Sequence, residues 1–323
     1  VSDLKDSQER SGNDRGGLLA MAFIRGFGSY VPSRVVTNSE LAAQLGCDAD
    51  WILKVSGISE RRYASESVVE MGALAGQDCL ARAGASQVGA VIVSSGSSER
   101  RFPGPAAEIA AKLGFAGVPA FDVPMASAGS LFGLALAAQI AERHGDALLI
   151  ASEKMSTVAG ADKNTAILFG DGAGAGLISQ REGAARIERW ALHSDGSHTD
   201  ALRLEFGQPV HMDGGSVILH ASRKVPAAIR EALEAAGITA PAVQAFLMHQ
   251  ANQNLIVRIA KTLEVAPEAF FSNIARYGNT SSASMLIAAA EWSEQSGFER
   301  GRPVVFAAFG AGFHWGALVA IGS

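Results

Sequence analysis

Cysteine is almost absent from this chain, with only Cys47 and Cys79 among 323 residues. They share no C-x-x-C spacing and no paired histidines stand near them, which excludes a disulfide scaffold and gives no support to a structural zinc site. Charge is sparse as well: 18% of residues are Asp, Glu, Lys or Arg, against about 25% in an average soluble chain. Much of the surface is therefore expected to lie in a core or an interface. Basic residues are in no excess (Lys+Arg 27, Asp+Glu 32, formal charge −5), so a nucleic-acid partner is not expected. The longest apolar runs, such as Leu131 to Ile140, fall short of the ~20 residues that cross a bilayer. Residues 1–20 are polar and mixed in charge, with none of the apolar stretch of a secretion signal. They read as a polar extension ahead of a domain that starts near Met21, and the expected location is the cytoplasm, away from membranes.

What is present is apolar and rich in small residues: 48% of the chain is hydrophobic and 36 residues are glycine. A length of this kind suggests two domains of roughly 150 residues each or one large double domain, long enough to bury a sizeable core without staples. Strand-like apolar runs alternate with helical ones, the pattern of an α/β fold. Ala22 to Tyr30 reads as a strand. Thr37 and Glu40 stand at capping-box spacing before a short helix at Asn38 to Leu45. Helices are expected at Val68 to Ala83, Phe102 to Leu113 and Gly129 to Arg143, and strands at Ala90 to Ser94, Ala120 to Val123 and Ala147 to Ala151. Thr165 to Phe169 and Gly174 to Ile178 read as two further short strands. Later helices are expected at 223–236, at Asn252 to Leu263, where Leu255, Ile259 and Leu263 form one apolar face, and at Ser282 to Gln295. Ala245 to Met248, Pro303 to Ala308 and Gly316 to Ile321 complete the strands.

The second half repeats the plan of the first. Ala126-Ser127-Ala128-Gly129 opens a helix, a strand follows, and then a glycine-rich turn, Phe169-Gly170-Asp171-Gly172-Ala173-Gly174, leads into another strand. Asn279-Thr280-Ser281-Ser282, Val304-Val305-Phe306 and Phe309-Gly310-Ala311-Gly312 follow in the same sequence. Two long units of this kind suggest duplicated α/β halves packed face to face, residues 21–182 and 183–323, divided within the polar stretch Gln180 to Ala185.

Three residues could carry chemistry. Ser127 follows an apolar strand, sits among alanines and glycine, and precedes an apolar helix whose N-terminal N–H groups and positive dipole end would face a bound group. It is either a displayed nucleophile or a plain helix cap, for which serine is a favoured residue. His249 ends an apolar strand, where a histidine is commonly a hydrogen-bonded structural residue, and Asn279 stands in a turn before a helix, an ordinary capping position. Each signal alone is weak.

Their order is specific. Asp122-Val123-x-x-Ala126-Ser127-Ala128-Gly129, Phe169-Gly170-Asp171-Gly172-Ala173-Gly174, His249-Gln250-Ala251-Asn252, Gly278-Asn279-Thr280-Ser281 and Phe309-Gly310-Ala311-Gly312-Phe313-x-Trp315-Gly316 occur in a spacing that resembles β-ketoacyl-ACP synthase III, the condensing enzyme that starts fatty acid chains. Asp50-Trp51-Ile52, Gly57-Ile58-x-Glu60-Arg61 and Phe102-Pro103 extend the resemblance from about Ala22 to the C-terminus. It implies a thiolase-like, five-layered α-β-α-β-α double domain and a homodimer joined through the strand Ala120 to Val123. It also implies a Cys-His-Asn triad, with His249 and Asn279 in place and serine, Ser127, where the family has its cysteine. The backbone N–H groups of Ser127 and Ala311 would hold the oxyanion, and Trp51, Phe102, Lys163 and Asn252 would contact the substrate. No resident cofactor or metal is implied. Coenzyme A or phosphopantetheine thioesters are substrates, and acyl-CoA or acyl carrier protein the partners.

The departures are as informative as the matches. Val55 and Asn254 replace basic residues that aid donor binding in the relatives, and Lys163 replaces an arginine. A hydroxyl needs a general base where a thiol is already partly ionised, so loading at Ser127 is expected to be slow unless His249 supplies that base. The expected activity is acyl transfer from acyl-CoA or acyl-ACP with condensation onto a malonyl thioester. Acyl transfer to an alcohol or amine, slow thioester hydrolysis, and a silent partner of an active synthase are the alternatives.

Overall fold

The computed structural model describes residues 21–323; the polar extension at 1–20 lies outside the described residues. Nine strands form one sheet in the spatial order Ala245–Met248, Pro303–Gly310, His314–Gly322, Ala185–Ser194, Ala22–Tyr30, Asp171–Ser179, Ala147–Lys154, Ala90–Ser94 and Ala120–Val123. Ala90–Ser94 pairs in parallel with both of its neighbours, and its Val91-Ile92-Val93 run is wholly buried, as a strand covered on both faces must be. The first-half and second-half strands are joined only by a short antiparallel contact, Ala22 with Ile187, Phe23 with Arg186 and Ile24 with Ala185.

The halves fold over that seam. Helices Gly129–His144 and Ala283–Gln295 pack against strands of both halves and form the central layer. Val68–Arg82 and Ala106–Lys112 cover the outer face of the first half, while Gly214–Ala235 and Gln253–Leu263 cover that of the second. This is the α-β-α-β-α arrangement. The central helices suit it because they are apolar nearly all round and dominated by small residues. A Cβ added to Gly174 would lie 2.6 Å from Leu286 Cβ and 2.8 Å from Ile287 N, so glycine there lets a central helix sit directly on the sheet.

Several local expectations change. Thr165 to Phe169 is not a strand: Asp162 accepts from Asn164 N and Thr165 Oγ1 and caps a helical turn at Lys163–Ala166. The helix expected from Phe102 begins at Ala106, after Pro103 and Pro105, where Asp122 Oδ1 accepts the Ala106 N–H at 2.9 Å. The helix expected at 223–236 starts earlier, at Gly214, because Asp213 caps it through Ser216 N despite the two glycines. Thr37 caps Asn38–Leu45 as expected, but Glu40 turns to Arg34, so only half of the capping box forms. The strand Ala185–Ser194, the antiparallel pair Arg34–Thr37 with Glu60–Tyr63, and the helix Ala49–Ser56 are not expected from the sequence.

Candidate active site

The two central helices begin side by side, and each is preceded by a strained serine. Ser127 (φ 64°) stands two residues before Gly129–His144, and Ser281 (φ 47°) two residues before Ala283–Gln295. The left-handed conformation costs a non-glycine residue roughly 1–2 kcal/mol, so the surrounding packing must impose it. Part of that packing is the strand Pro303–Gly310. A Cβ on Gly310 would fall 2.2 Å from Ala126 O and 2.7 Å from Ala128 N, so the strand end presses directly on the Ser127 turn. The Ser127 N–H donates to Ser281 Oγ at 3.0 Å, tying the two helix starts together. That N–H, expected as one of two oxyanion donors, is therefore engaged within the protein. The Ala311 N–H has no acceptor in hydrogen-bond geometry among the described residues.

His249 continues the line of Ala245–Met248, its N–H donating to Ala307 O at 2.9 Å. Its ring is buried, and burial pushes its pKa down from 6.5 to about 4, so the imidazole is neutral at pH 7. Nδ1 lies 2.6 Å from Ser284 Oγ, which also accepts the Gln250 N–H at 3.0 Å. Asn279 is held by its backbone: its N–H donates to Leu168 O at 2.8 Å and its C=O accepts from Gly170 N at 3.1 Å. Its Oδ1 accepts the Ser281 N–H at 2.8 Å, which leaves the side-chain NH₂ without an acceptor among the described residues. The segment Asn279 to Ser284 is thus the hub that holds the Ser127 backbone and the His249 and Asn279 side chains.

Two buried charges brace this hub from behind. Glu153 is wholly buried and accepts from Gly96 N (3.0 Å), Ser97 N (3.0 Å), Ser97 Oγ (2.5 Å), Ser282 Oγ (2.6 Å) and Ser282 N (3.3 Å), joining a first-half loop to a second-half helix start. Burial raises its pKa, and these hydrogen bonds pull against that rise. Arg61, also wholly buried, donates to Asn38 Oδ1 and Ile167 O, each at 2.7 Å, and so holds the turn whose Leu168 and Gly170 bracket Asn279.

Ser127, His249, Asn279 and Ala311 line one cavity of about 340 Å³, together with Trp51 and Asn252. Its walls are mostly apolar, among them Met155, Ile167, Val217, Val225, Met248 and Leu255. Trp51 sits in the first turn of Ala49–Ser56, where Asp48 caps its N–H at 2.7 Å. Asn252 caps Gln253–Leu263 with Oδ1 and donates from Nδ2 to Val55 O at 2.9 Å, so both ends of its amide are used in positioning two helices. Lys163 and Phe102 are not on the cavity wall. The Lys163 ammonium is 5.9 Å from the Trp51 ring centre, and Phe102 is 84% exposed. Ser281, Ser284 and Glu153 were not identified from the sequence. The repeat held a signal for Ser281, since Thr280-Ser281-Ser282-Ala283 overlays Ala126-Ser127-Ala128-Gly129 helix start on helix start. No group of three or more His, Cys, Asp or Glu side chains among the described residues could hold a metal ion.

Comparison with known proteins identifies the family and the fold. The family model for 3-oxoacyl-[acyl-carrier-protein] synthase III matches residues 121–196, and that for its C-terminal part matches residues 233–320. A β-ketoacyl-[acyl-carrier-protein] synthase III of Chlamydia caviae is 34% identical, over 93% of this chain and 97% of the relative. The crystal structure of 3-oxoacyl-[acyl-carrier-protein] synthase III from Aquifex aeolicus superposes with a TM-score of 0.90 at 32% identity, covering 93% of this chain and 99% of that one. A priming β-ketosynthase from a polyketide biosynthetic pathway superposes with a TM-score of 0.87 at 30% identity, covering 94% and 96%. This chain belongs to the β-ketoacyl-[acyl-carrier-protein] synthase III family, thiolase-fold condensing enzymes.

Proposed function

We propose that this chain takes an acyl group from acyl-CoA or acyl-ACP onto Ser127 and condenses it with a malonyl thioester. The observation that carries the reading is the convergence of Ser127, His249 and Asn279 on one apolar cavity through a shared six-residue hub. In the first half-reaction Ser127 Oγ attacks the thioester carbonyl, the C–S bond breaks with the hydroxyl proton passing to the departing sulfur so that the free thiol leaves, and the Ala311 N–H supports the oxyanion. The Ser127 N–H joins it only when Ser281 Oγ yields. In the second, the malonyl Cα–carboxylate bond breaks and its electron pair passes into the thioester carbonyl as an enolate. Carbon dioxide leaves, and neutral His249 and the Asn279 amide, both donors, stabilise the enolate while its carbon attacks the acyl group, the ester C–O bond breaks and Ser127 regains its proton from solvent. The dominance of apolar walls suits an acyl chain and the pantetheine arm.

Ser127 favours a second reading, acyl transfer to an alcohol or amine, because an oxygen ester is a poorer donor to carbon than a thioester. The site draws on both proposed halves, residues 21–182 and 183–323. A homodimer fits the exposed position of Ala120–Val123 at the sheet edge. No described helix is long and apolar enough to cross a membrane. Intact-protein mass spectrometry after incubation with a panel of acyl-CoAs tests the reading: an adduct present in the wild type and absent in Ser127→Ala supports it. Adducts retained by Ser127→Ala, or none with any thioester, refute it.

A further inference from the structure

We infer that Ser284 fixes the tautomer of His249, placing its single proton on Nε2. The inference follows from counting donors and acceptors around two buried side chains. Ser284 Oγ takes the Gln250 N–H at 3.0 Å on one lone pair. Its own O–H must then find an acceptor, because a buried hydroxyl left unpaired is costly. Among the described residues no carbonyl or carboxylate stands in hydrogen-bond geometry with it, and the remaining partner is His249 Nδ1 at 2.6 Å. A neutral imidazole carries one N–H; accepting at Nδ1 puts that hydrogen on Nε2. Burial, which keeps the ring neutral at pH 7, makes the choice between tautomers meaningful. The Ser281 carbonyl beside the ring is also an acceptor and competes for a ring N–H; the Ser284 hydroxyl, left with Nδ1 as its acceptor, decides which nitrogen carries it.

The consequence is a division of labour. With hydrogen on Nε2, His249 offers the substrate a donor, suited to a carbonyl oxygen gaining negative charge. It does not offer the lone pair that a hydroxyl nucleophile needs from a general base. Ser284 is thus a positioning residue that favours the enolate-forming step over acyl loading at Ser127. The inference rests on the reading of His249 as part of the reacting site, but its physical core can be measured without turnover.

The experiment uses the full chain with ¹⁵N-labelled histidine, His249 being assigned by its loss in His249→Asn. Ring-nitrogen chemical shifts at pH 7 should report Nε2–H in the wild type, a shift toward Nδ1–H in Ser284→Ala, and Nε2–H again in Ser284→Thr, which keeps the hydroxyl. Malonyl-thioester decarboxylation should fall about tenfold in Ser284→Ala, the scale of one lost hydrogen bond, while acyl loading holds or rises. Ser284→Thr should restore the wild-type balance. Nδ1–H in the wild type overturns the inference, and so does an unchanged tautomer in Ser284→Ala. Equal loss of both half-reactions with no rescue by threonine also overturns it. If the tautomer shifts as described but no thioester reacts with any variant, the inference stands and the condensation reading falls.

Discussion

Glu153→Ala should be among the most damaging single changes in the chain, and Glu153→Gln far milder. Glu153 Oε2 accepts two backbone N–H groups, from Gly96 and Ser97, and Oε1 accepts a third from Ser282. Alanine leaves all three without an acceptor at a wholly buried position. The hydroxyls of Ser97 and Ser282 can rotate to other partners, but the amides cannot. An orphaned buried donor costs about 1–3 kcal/mol, and relief from burying a charge offsets part of the sum, so a loss of roughly 3–5 kcal/mol is expected. In Glu153→Gln the carbonyl oxygen can face Gly96 and Ser97 while the NH₂ donates to the Ser282 hydroxyl. Only the Ser282 N–H, the longest of the three backbone bonds at 3.3 Å, then meets a donor. The expected cost is about 1–2 kcal/mol. Burial raises the Glu153 pKa above its ordinary 4.5, so the ionised native state carries a penalty that disappears as pH falls from the raised value through 4.5. The wild type should regain stability relative to Glu153→Gln over that window. Urea unfolding followed by tryptophan fluorescence at pH 7 and at pH 5 measures both effects. An alanine variant within 1 kcal/mol of wild type, or a glutamine variant as damaged as alanine, would refute the reasoning.

Three further outcomes are expected. Gly310→Ala must move the backbone of the Ser127 turn, because Ala126 O and Ala128 N cannot swing aside as a flexible side chain would; a loss of about 1–3 kcal/mol and weaker acyl loading should appear together, and a variant with normal loading would separate the strand end from the nucleophile. His249, with its pKa depressed from 6.5 to about 4, should stay neutral at pH 5–8, so activity should show no histidine titration near 6.5. Linkage has the matching sign: the unfolded chain protonates first, so stability falls as pH drops from 6.5 to about 4, by about 3 kcal/mol in total at this one residue; a His249→Asn variant with the same acid profile would contradict it. Ser127→Cys should load acyl groups faster than wild type, since sulfur ionises more readily at a helix N-terminus and needs no base; mass spectrometry showing slower adduct formation in the cysteine variant would count against Ser127 as the acyl carrier.

The layers were legible in the sequence because their cause is local. Central strands such as Val91-Ile92-Val93 are buried on both faces and read as unbroken apolar runs. Ala185–Ser194 was not legible: Arg186, Glu188 and Arg189 dilute its pattern, and it forms because His314–Gly322 pairs along most of its length. Phe102 to Leu113 failed for the opposite reason, since apolar content suggested a helix where two prolines delay it to Ala106. At the site, Ser127, His249 and Asn279 were visible because each closes a motif. Ser284 and Glu153 were not, because a serine in a helix and a glutamate in a strand carry no local mark of their partners. Their roles arise from pairings 35 and up to 129 residues away in the chain.

The departures from the family pattern gain a physical logic once they are placed in the fold. Asn254, standing where the resemblance implies a basic residue, donates from Nδ2 to Lys54 O at 3.1 Å and Val55 O at 3.2 Å, and Asn252 donates to the same Val55 carbonyl. Two neutral amides thereby satisfy the last carbonyls of Ala49–Ser56, the helix that carries Trp51 to the cavity. A cation could have served that helix end equally well, so its loss is not a requirement of the fold. Val55, in turn, puts an apolar side chain on the cavity wall where an arginine is implied. Both changes lower the positive charge that would hold a phosphate-bearing donor, and Ser127 lowers the reactivity of the group that would receive its acyl chain. The groups assigned to the enolate, His249 with Ser284 and Asn279 with Ser281, are each oriented by a hydrogen bond within the hub. On the proposed reading, the site holds the acyl donor with less charge while His249 and Asn279 remain placed for the malonyl thioester. On that argument, the acyl-loading step limits the rate, and strengthening it at residue 127 should bring a larger gain than restoring charge at residues 55 and 254.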